Sequence, residues 1–151
     1  MSIHQVNYRL AAIADLTLLL ELVREFHVHE KLPFEEEIDR NVLKHFLTHE
    51  FLGQAWLILQ ADEAIGYILV TLSFSLEYRG RDAFIDELYL RPQYRGQGIG
   101  SQTLAFAEDA CKVLGVRALH LEVDFNNSNA QRLYRKVNYQ RHDRFLMTKS
   151  L

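Results

Sequence analysis

Three glycines alternate within the stretch LRPQYRGQGIGSQ, at Gly96, Gly98 and Gly100. An apolar run precedes them and a helical pattern of apolar residues follows, so we expect a strand, a turn and the start of a helix. Glycine is favoured where a backbone turns sharply or lies close to a ligand. A turn at a helix N-terminus presents unpaired backbone N–H groups and the positive end of the helix dipole. The stretch therefore predicts a binding site for phosphate or pyrophosphate.

Three kinds of phosphate-binding loop compete for this stretch. The nucleotide-binding P-loop has Lys after its glycines, and no Lys follows here. The dinucleotide-binding pattern G-x-G-x-x-G/A ends on Ser101 or Thr103 when it is started from Gly96 or Gly98. Glu122 does stand where a ribose-binding acid would be expected. That pattern, however, normally opens a series of βαβ units, and little chain remains after this loop.

The third kind of loop fits at each position. The segment Arg95–Gly100 matches the [Q/R]-x-x-G-x-[G/A] motif of the GCN5-related N-acetyltransferase (GNAT) superfamily, whose members transfer acetyl from acetyl-CoA to an amine. The later segment NNSNAQRLYRKVNY resembles the family's N-x-x-A-x-x-x-Y-x-K-x-G-F pattern. It departs from that pattern at Asn138 and Tyr139, but Asn tolerates the left-handed backbone better than most residues. The loop SLEYRGRD and the N-terminal helices further resemble the spermidine/spermine (diamine) acetyltransferase members.

The resemblance implies a role for each matching residue. The loop amides would hold the CoA pyrophosphate, and the main chain of Leu88–Leu90 would bind the pantetheine arm and the acetyl carbonyl. Asn127 would bond the same arm, Lys136 would approach the adenosine phosphates, and Tyr134 would protonate the departing thiolate. The expected acetyl-CoA-binding residues are Leu88, Tyr89, Leu90, Arg95, Gly96, Gln97, Gly98, Ile99, Gly100, Ser101, Asn127, Tyr134 and Lys136.

Each of these residues also has a structural interpretation. The glycines can form a tight turn without a ligand, and Asn127 can cap the helix that follows it. Lys136 can lie on a solvated helix face. Tyr134 shares an apolar helical stripe with Leu133 and Val137, which is typical of core packing.

Two adjacent acids, Asp86 and Glu87, interrupt an otherwise apolar strand. Alternation along a strand would send them to opposite faces unless a bulge intervenes. An amine must lose a proton before it attacks a thioester, and a carboxylate can accept that proton. The resemblance implies that this strand supplies such a carboxylate, so Asp86, Glu87 and Tyr134 are the candidate catalytic residues. The structural alternative is pairing of either acid with Arg79 or Arg81.

The elements that position these residues follow the order β, α, α, β, β, β, loop, α, β, α, β, which predicts an α+β fold. The resemblance implies the GNAT (acyl-CoA N-acyltransferase) fold, with about four helices and a mixed central sheet splayed beside the glycine loop. We expect six to seven strands, of which the tail YQRHDRFLMTKSL supplies one or two. The length of 151 residues predicts one domain over residues 1–151.

Composition and charge indicate the cellular compartment and the kinds of ligand that the protein binds. The single cysteine, Cys111, cannot form an internal disulfide, and its helical position favours packing over nucleophilic chemistry. With no leader or membrane segment evident, these features predict a cytoplasmic protein. His27 and His29 lack further ligands, so we expect no metal. Residues 1–90 hold 7 Lys and Arg against 15 Asp and Glu, whereas residues 91–151 hold 10 against 5. This asymmetry favours an anionic ligand for the second part and a cationic one for the first.

Together these features predict an N-acetyltransferase that moves acetyl from acetyl-CoA to a primary amine by direct attack in a ternary complex. A small cationic amine is the expected partner, with no nucleic acid and no membrane, and family likeness favours a homodimer. Two alternatives stay open: a catalytically silent acyl-CoA-binding regulatory module, and an enzyme that acts on a peptide or protein amine.

Overall fold

The structure, a computed structural model, describes residues 5–151. Within this range the strands are β1 (Asn7–Leu10), β2 (Gly53–Gln60), β3 (Glu63–Ser75), β4 (Gly80–Leu90) and β5 (Ala118–Leu121). The α-helices are α1 (Leu16–Glu30), α2 (Glu36–Leu47), α3 (Ile99–Val113) and α4 (Ser128–Lys136). Short 3-10 turns lie at Ile13–Asp15, Glu50–Leu52 and Pro92–Tyr94. None of the helices described is long and apolar enough to cross a bilayer.

The strands form one mixed sheet whose order is that of the chain. Neighbouring strands are antiparallel from β1 to β4, whereas β4 and β5 are parallel and are connected through α3. The parallel pairing covers only Asp82–Ile85 of β4. The rest of that strand, from Asp86 to Leu90, has no strand on this side among the residues that the structure describes. The sheet therefore opens beside β4, next to the glycine loop.

Helices cover both faces of the sheet. Alternate side chains of β2 and β3 point to opposite faces, so that Leu57 and Tyr67 pack against α1 and α2 while Trp56 and Ile68 pack against α3. Burying a leucine or isoleucine side chain completely contributes about 1.5–3 kcal/mol, and Leu57 and Ile68 are both fully buried. The central strands thus form a stable platform from which β4 presents its residues.

The tail after α4 differs from the prediction of six to seven strands, because the described residues form only five. Phe145, Leu146 and Met147 follow one another directly, and all three side chains are exposed. A strand with one buried face needs apolar residues at alternate positions, which this run does not provide. The tail is joined to the body by an exposed ion pair between Arg144 and Glu77.

The turn after α4 accommodates the residue at which the sequence departs from the family pattern. Asn138 adopts a left-handed backbone with φ of 71°. Asn enters this conformation more readily than other residues with a side chain, so the turn forms without glycine.

Candidate functional site

The glycine loop leads from the end of β4 into α3. Gly96 and Gly98 have left-handed backbones, with φ of 73° and 80°. A side-chain carbon at either position would meet no atom within 4 Å, so glycine is needed here for its backbone angle and not for lack of space. Within residues 5–151, the backbone amides from Gly96 to Ser101 donate no hydrogen bond. A row of free donors therefore lies at the positive end of the α3 dipole, which suits an anion.

A cleft of about 280 Å³ adjoins this loop. It lies between the C-terminal half of α1, the end of β4 and the start of α4. The cleft brings together six of the predicted residues with five others; its walls are Phe26, His29, Glu30, Leu88, Tyr89, Leu90, Arg95, Gly100, Asn127, Ala130 and Leu133.

Arg95 ties the loop to the end of β4. Its Nε donates a hydrogen bond to the carbonyl oxygen of Leu90 at 2.8 Å, and its guanidinium carbon lies 5.6 Å from the centre of the Tyr89 ring. Its Nη1 lies 3.2 Å from Nε2 of His29 on α1. The Arg95 side chain therefore fixes the separation between the loop and the strand that form two walls of the cleft.

Not every predicted residue lines the cleft. Ile99 is only 1% exposed and packs in the core, so only its backbone faces the loop. The side chain of Gln97 donates to the carbonyl oxygen of Gln93. Lys136 is exposed in the last turn of α4.

Helix α4 begins at one wall of the cleft. The side-chain oxygen of Asn127 accepts a hydrogen bond from the backbone N–H of Ala130 at 3.1 Å, so Asn127 does cap the helix. Its side-chain amide nitrogen donates no hydrogen bond within the described residues, whereas its backbone N–H donates to the carbonyl oxygen of Asp124 at 3.0 Å. The capping and ligand-binding interpretations of Asn127 are therefore compatible.

Tyr134 lies one residue beyond Leu133, which lines the cleft. Its ring is half-buried and packs with the α3 side of the core, 5.9 Å from the ring of Tyr139. Its hydroxyl has no hydrogen-bond partner among the residues described. Burial raises the pKa of Tyr134, and the negative charge of Glu30 raises it further. The phenol thus stays protonated at neutral pH, which a proton donor requires.

Strand β4 contains a bulge at the acidic pair. Leu69 of β3 is opposite Glu87 and Val70 is opposite Ile85, so Asp86 is an additional residue in β4. The extra residue interrupts the alternation and turns Asp86 and Glu87 to the same face of the sheet, toward α1. The alternation expected from the sequence is therefore broken at the site itself.

Glu87 is held by two side chains from other elements. Its Oε1 accepts a hydrogen bond from the Tyr67 hydroxyl at 3.0 Å, and its Oε2 lies 2.5 Å from Nε2 of His27. Burial raises the pKa of Glu87, and the bonds with His27 and Tyr67 oppose that rise. Burial also raises the pKa of the more exposed Asp86, and His27 again opposes it. Neither acid pairs with an arginine among the described residues, so the alternative with Arg79 or Arg81 is wrong.

A second, smaller pocket opens where β5 diverges from β4. It is lined by Phe84, Ile85, Asp86 and Glu122. Two carboxylates and an aromatic ring are groups that attract a cation. We call this the acidic pocket.

A polar cluster borders the acidic pocket. His120 Nε2 lies 3.0 Å from Oδ2 of the buried Asp82, whose Oδ1 accepts a hydrogen bond from Ser73 at 2.7 Å. The ring of His120 lies 4.9 Å from those of both Phe84 and Tyr78. The carboxylate of Asp82 is thus fully engaged, whereas those of Asp86 and Glu122 face the pocket.

His27, Tyr67 and Glu122 were not predicted as parts of this site. His27 lies beside Phe26 on the apolar face of α1, and sixty positions separate it from Glu87. Only the unusual presence of an ionisable ring on that face could have marked it. Tyr67 stands among apolar residues in β3 and resembles core.

Cys111 is buried against the α3 side of the sheet. Burial raises the pKa of its thiol to about 11, so it stays protonated and unreactive at neutral pH.

Across residues 5–151, no three His, Cys, Asp or Glu side chains are grouped so as to hold a metal ion.

Comparison with known sequences gives a consistent result. A profile of the Acetyltransferase (GNAT) family matches residues 16–139. Thialysine N-epsilon-acetyltransferase from Bos taurus is 30% identical over 145 residues, which cover 89% of this chain and 84% of the relative. Aminoalkylphosphonate N-acetyltransferase from Salmonella typhimurium is 36% identical over 96 residues, which cover 63% of this chain and 61% of the relative.

Solved structures share the fold. An integron cassette protein from the mobile metagenome of Cole Harbour salt marsh superposes with a TM-score of 0.85 at 33% identity, covering 95% of this chain and 90% of the other. A predicted acetyltransferase from Clostridium acetobutylicum, solved with acetyl-CoA, superposes with a TM-score of 0.80, covering 96% of each chain. At 19% identity the latter likeness concerns the fold alone.

Proposed function

This chain belongs to the acetyltransferase (GNAT) family and is an N-acetyltransferase, and we propose that it moves acetyl from acetyl-CoA to a small cationic primary amine by direct attack. One observation carries this proposal: the free amides of the glycine loop follow the end of β4, and the acidic pocket lies where β5 leaves the same strand. An anionic donor and a cationic acceptor could therefore meet at the same strand.

The loop and the cleft fit acetyl-CoA. The free amides of residues 96–101 would accept the pyrophosphate, as helix N-termini commonly do. Main-chain groups of Leu88–Leu90 would bond the pantetheine arm and polarise the acetyl carbonyl, and the free amide nitrogen of Asn127 would donate to the same arm. Donors aimed at that carbonyl stabilise the oxyanion that forms on attack. Arg95 and Lys136 add positive charge near the phosphates.

The chemistry needs one proton acceptor and one proton donor. The amine must be neutral when its nitrogen attacks the thioester carbon, and Asp86 or Glu87 would take its proton. When the carbon–sulfur bond breaks, Tyr134 would protonate the thiolate of CoA. The protonated Cys111 supports direct transfer in a ternary complex, with no acetyl group placed on the protein.

The acidic pocket supports a cationic acceptor. The names of two relatives indicate that they act on small amines, thialysine and aminoalkylphosphonates. The first of these relatives acts on an ε-amine. An acceptor that carries a second positive charge would place it between Asp86 and Glu122.

We also propose a cytoplasmic setting and a homodimer, on the basis of the single cysteine and of the family likeness.

The direct test is release of free thiol from acetyl-CoA in the presence of a panel of amines. We expect turnover with lysine-like compounds and diamines, and little with neutral amines of the same length. Binding of acetyl-CoA without turnover on any amine would instead support a silent regulatory module. Turnover confined to peptide amines would support the peptide or protein acetyltransferase.

Glu122→Gln should raise KM for a diamine about 10-fold, because loss of one charge contact of about 1.4 kcal/mol weakens binding by that factor. KM for a monoamine of similar length should change less than about 2-fold, because a monoamine has no second cation to place in the acidic pocket. Steady-state kinetics with both acceptors measures this difference. Glu50→Gln removes the same charge from an exposed turn that does not line the pocket and is the matched control. Equal changes for both acceptors would contradict a second cation subsite.

A further inference from the structure

His27 occupies an unusual position in this site. It projects from α1, and its two ring nitrogens contact different elements. Nδ1 lies 2.9 Å from the carbonyl oxygen of Pro33, in the segment between α1 and α2. Nε2 lies 2.5 Å from Oε2 of Glu87 in the β4 bulge. The side chains of His27 and Glu87 are only 16% and 14% exposed.

These two contacts determine where the protons lie. A carbonyl oxygen only accepts hydrogen bonds, so Nδ1 of His27 must carry a proton and donate it to Pro33. Nε2 then faces a carboxylate oxygen at a distance too short for two lone pairs without a proton between them. The imidazole and the carboxyl group therefore share one proton at that contact. Glu87 is held in place on its other side by the Tyr67 hydroxyl.

We propose that His27 and Glu87 work as one couple that accepts the proton of the incoming amine, with His27 acting through Glu87. This inference rests on the proposed function and assigns its proton acceptor. Asp86, which lines the acidic pocket and has no hydrogen-bond partner within the described residues, then serves to attract the cation.

The step balances when the couple has first released its shared proton to solvent, which leaves Nε2 of His27 and Oε2 of Glu87 farther apart than the 2.5 Å of the protonated contact. The ammonium group of the acceptor then gives one proton to the couple, which returns to its shared-proton state. The neutral amine attacks the acetyl carbon, and the carbon–sulfur bond breaks as Tyr134 donates to sulfur. The nitrogen loses its second proton as the amide forms, and this proton restores Tyr134. The products are the N-acetyl amine and CoA, and the shared proton released earlier is the net proton given to solvent.

A couple of this kind suits catalysis near neutral pH better than an isolated carboxylate, whose pKa is about 4.3. Burial opposes the charge on His27, but the bonds with Pro33 and Glu87 outweigh it, so the pKa of His27 is raised above its usual value of about 6.5. The ionisable groups that act on His27 are Glu87 and Asp86 on β4 and Asp39 on α2. Tyr67 on β3 bonds to Glu87 and not to His27 itself. The three carboxylates all favour the protonated imidazole.

The first measurement is the pH profile of kcat/KM. Activity should be present above the pKa of the couple and fall as pH drops through it, so the acid limb should lie above about pH 6.5. His27→Gln keeps a neutral donor toward Glu87 but cannot titrate. It should move the acid limb down by more than about one pH unit and lower kcat/KM at pH 8 about 10-fold or more. His45→Gln, at an exposed position in α2, is the matched control and should move neither quantity.

A second measurement does not depend on turnover. Nuclear magnetic resonance of the ring nitrogens in the protein alone should show Nδ1 of His27 protonated throughout and Nε2 protonated beyond the pH at which exposed histidines titrate. Glu87→Gln should lower the pKa of His27 by about one unit or more, a tenfold loss of proton affinity. Titration of His27 at an ordinary pKa that Glu87→Gln leaves unchanged would overturn the couple.

The outcomes separate the couple from the proposed function. An acid limb that His27→Gln leaves in place and Asp86→Asn removes would overturn the couple and make Asp86 the acceptor, with acetyl transfer intact. A wild-type protein that acetylates no amine would contradict the proposed function, while the resonance measurement would still decide whether the proton is shared.

Discussion

Tyr134→Phe should lower kcat about 100-fold, because general-acid catalysis of thiolate departure typically contributes a factor of this size or more. KM for acetyl-CoA should change little, since the phenol acts on the leaving sulfur and not on the bound ground state. Steady-state release of free thiol at varied acetyl-CoA concentration measures both kcat and KM. Burial raises the pKa of Tyr134, so in the wild type the alkaline limb that reports loss of this proton should lie above about pH 10.

Loss of folding cannot account for such a result. The Tyr134 hydroxyl makes no hydrogen bond within residues 5–151, so its removal leaves no buried partner unsatisfied. Thermal unfolding of the variant should match the wild type. Tyr139→Phe removes a hydroxyl from the neighbouring ring, 5.9 Å away, and is the matched control. A Tyr134→Phe enzyme with full kcat would return Tyr134 to the interpretation of core packing.

Gly66→Ala should lower the free energy of unfolding by about 3 kcal/mol, the upper range for forcing extra volume into a packed interior. A side-chain carbon at Gly66 would lie 2.1 Å from the carbonyl oxygen of Tyr89 and 3.1 Å from the α-carbon of Leu90. Both atoms are backbone, so no side-chain rotation relieves the clash. Strands β3 and β4 must separate where Gly66 is opposite Leu90.

The separation falls at the strand segment proposed to bind the acetyl group. Gly66→Ala should therefore weaken acetyl-CoA binding as well as stability, which chemical denaturation and calorimetric titration measure independently. Gly115→Ala is the control, because its added carbon would meet no atom within 4 Å. It should cost only about 1 kcal/mol, from the left-handed backbone with φ of 75°. Similar losses for the two variants would contradict a specific contact at Gly66.

Local pattern was sufficient to predict most elements. Glycine spacing marked the loop, and helical spacing placed Tyr134 on an apolar stripe that does pack against the core. A tight turn at Ala61 and Asp62, both with left-handed backbones, joins β2 to β3. Family membership followed from two separate motifs, and it is confirmed. In each case the physical cause of the local structure lies in residues that are close together in the sequence.

Features that depend on distant residues could not be predicted in this way. The bulge at Asp86 exists only in the register between β3 and β4. The contact between His27 and Glu87 joins residues that share no local pattern. The tail was expected to supply one or two strands, but it forms none among the described residues. Phe145 and Leu146 are exposed one after the other, without the alternation that a half-buried strand needs.

The early end of the β4–β5 pairing at Ile85 has a consequence for how this protein can change during evolution. Three side chains that line the acidic pocket at this point, those of Phe84, Asp86 and Glu122, are exposed and contribute little to the core. Substitutions at such positions usually alter stability by less than about 0.5 kcal/mol. Single substitutions in the acidic pocket can therefore change which amine is preferred. The residues of the loop, the cleft and the central strands need not change with them.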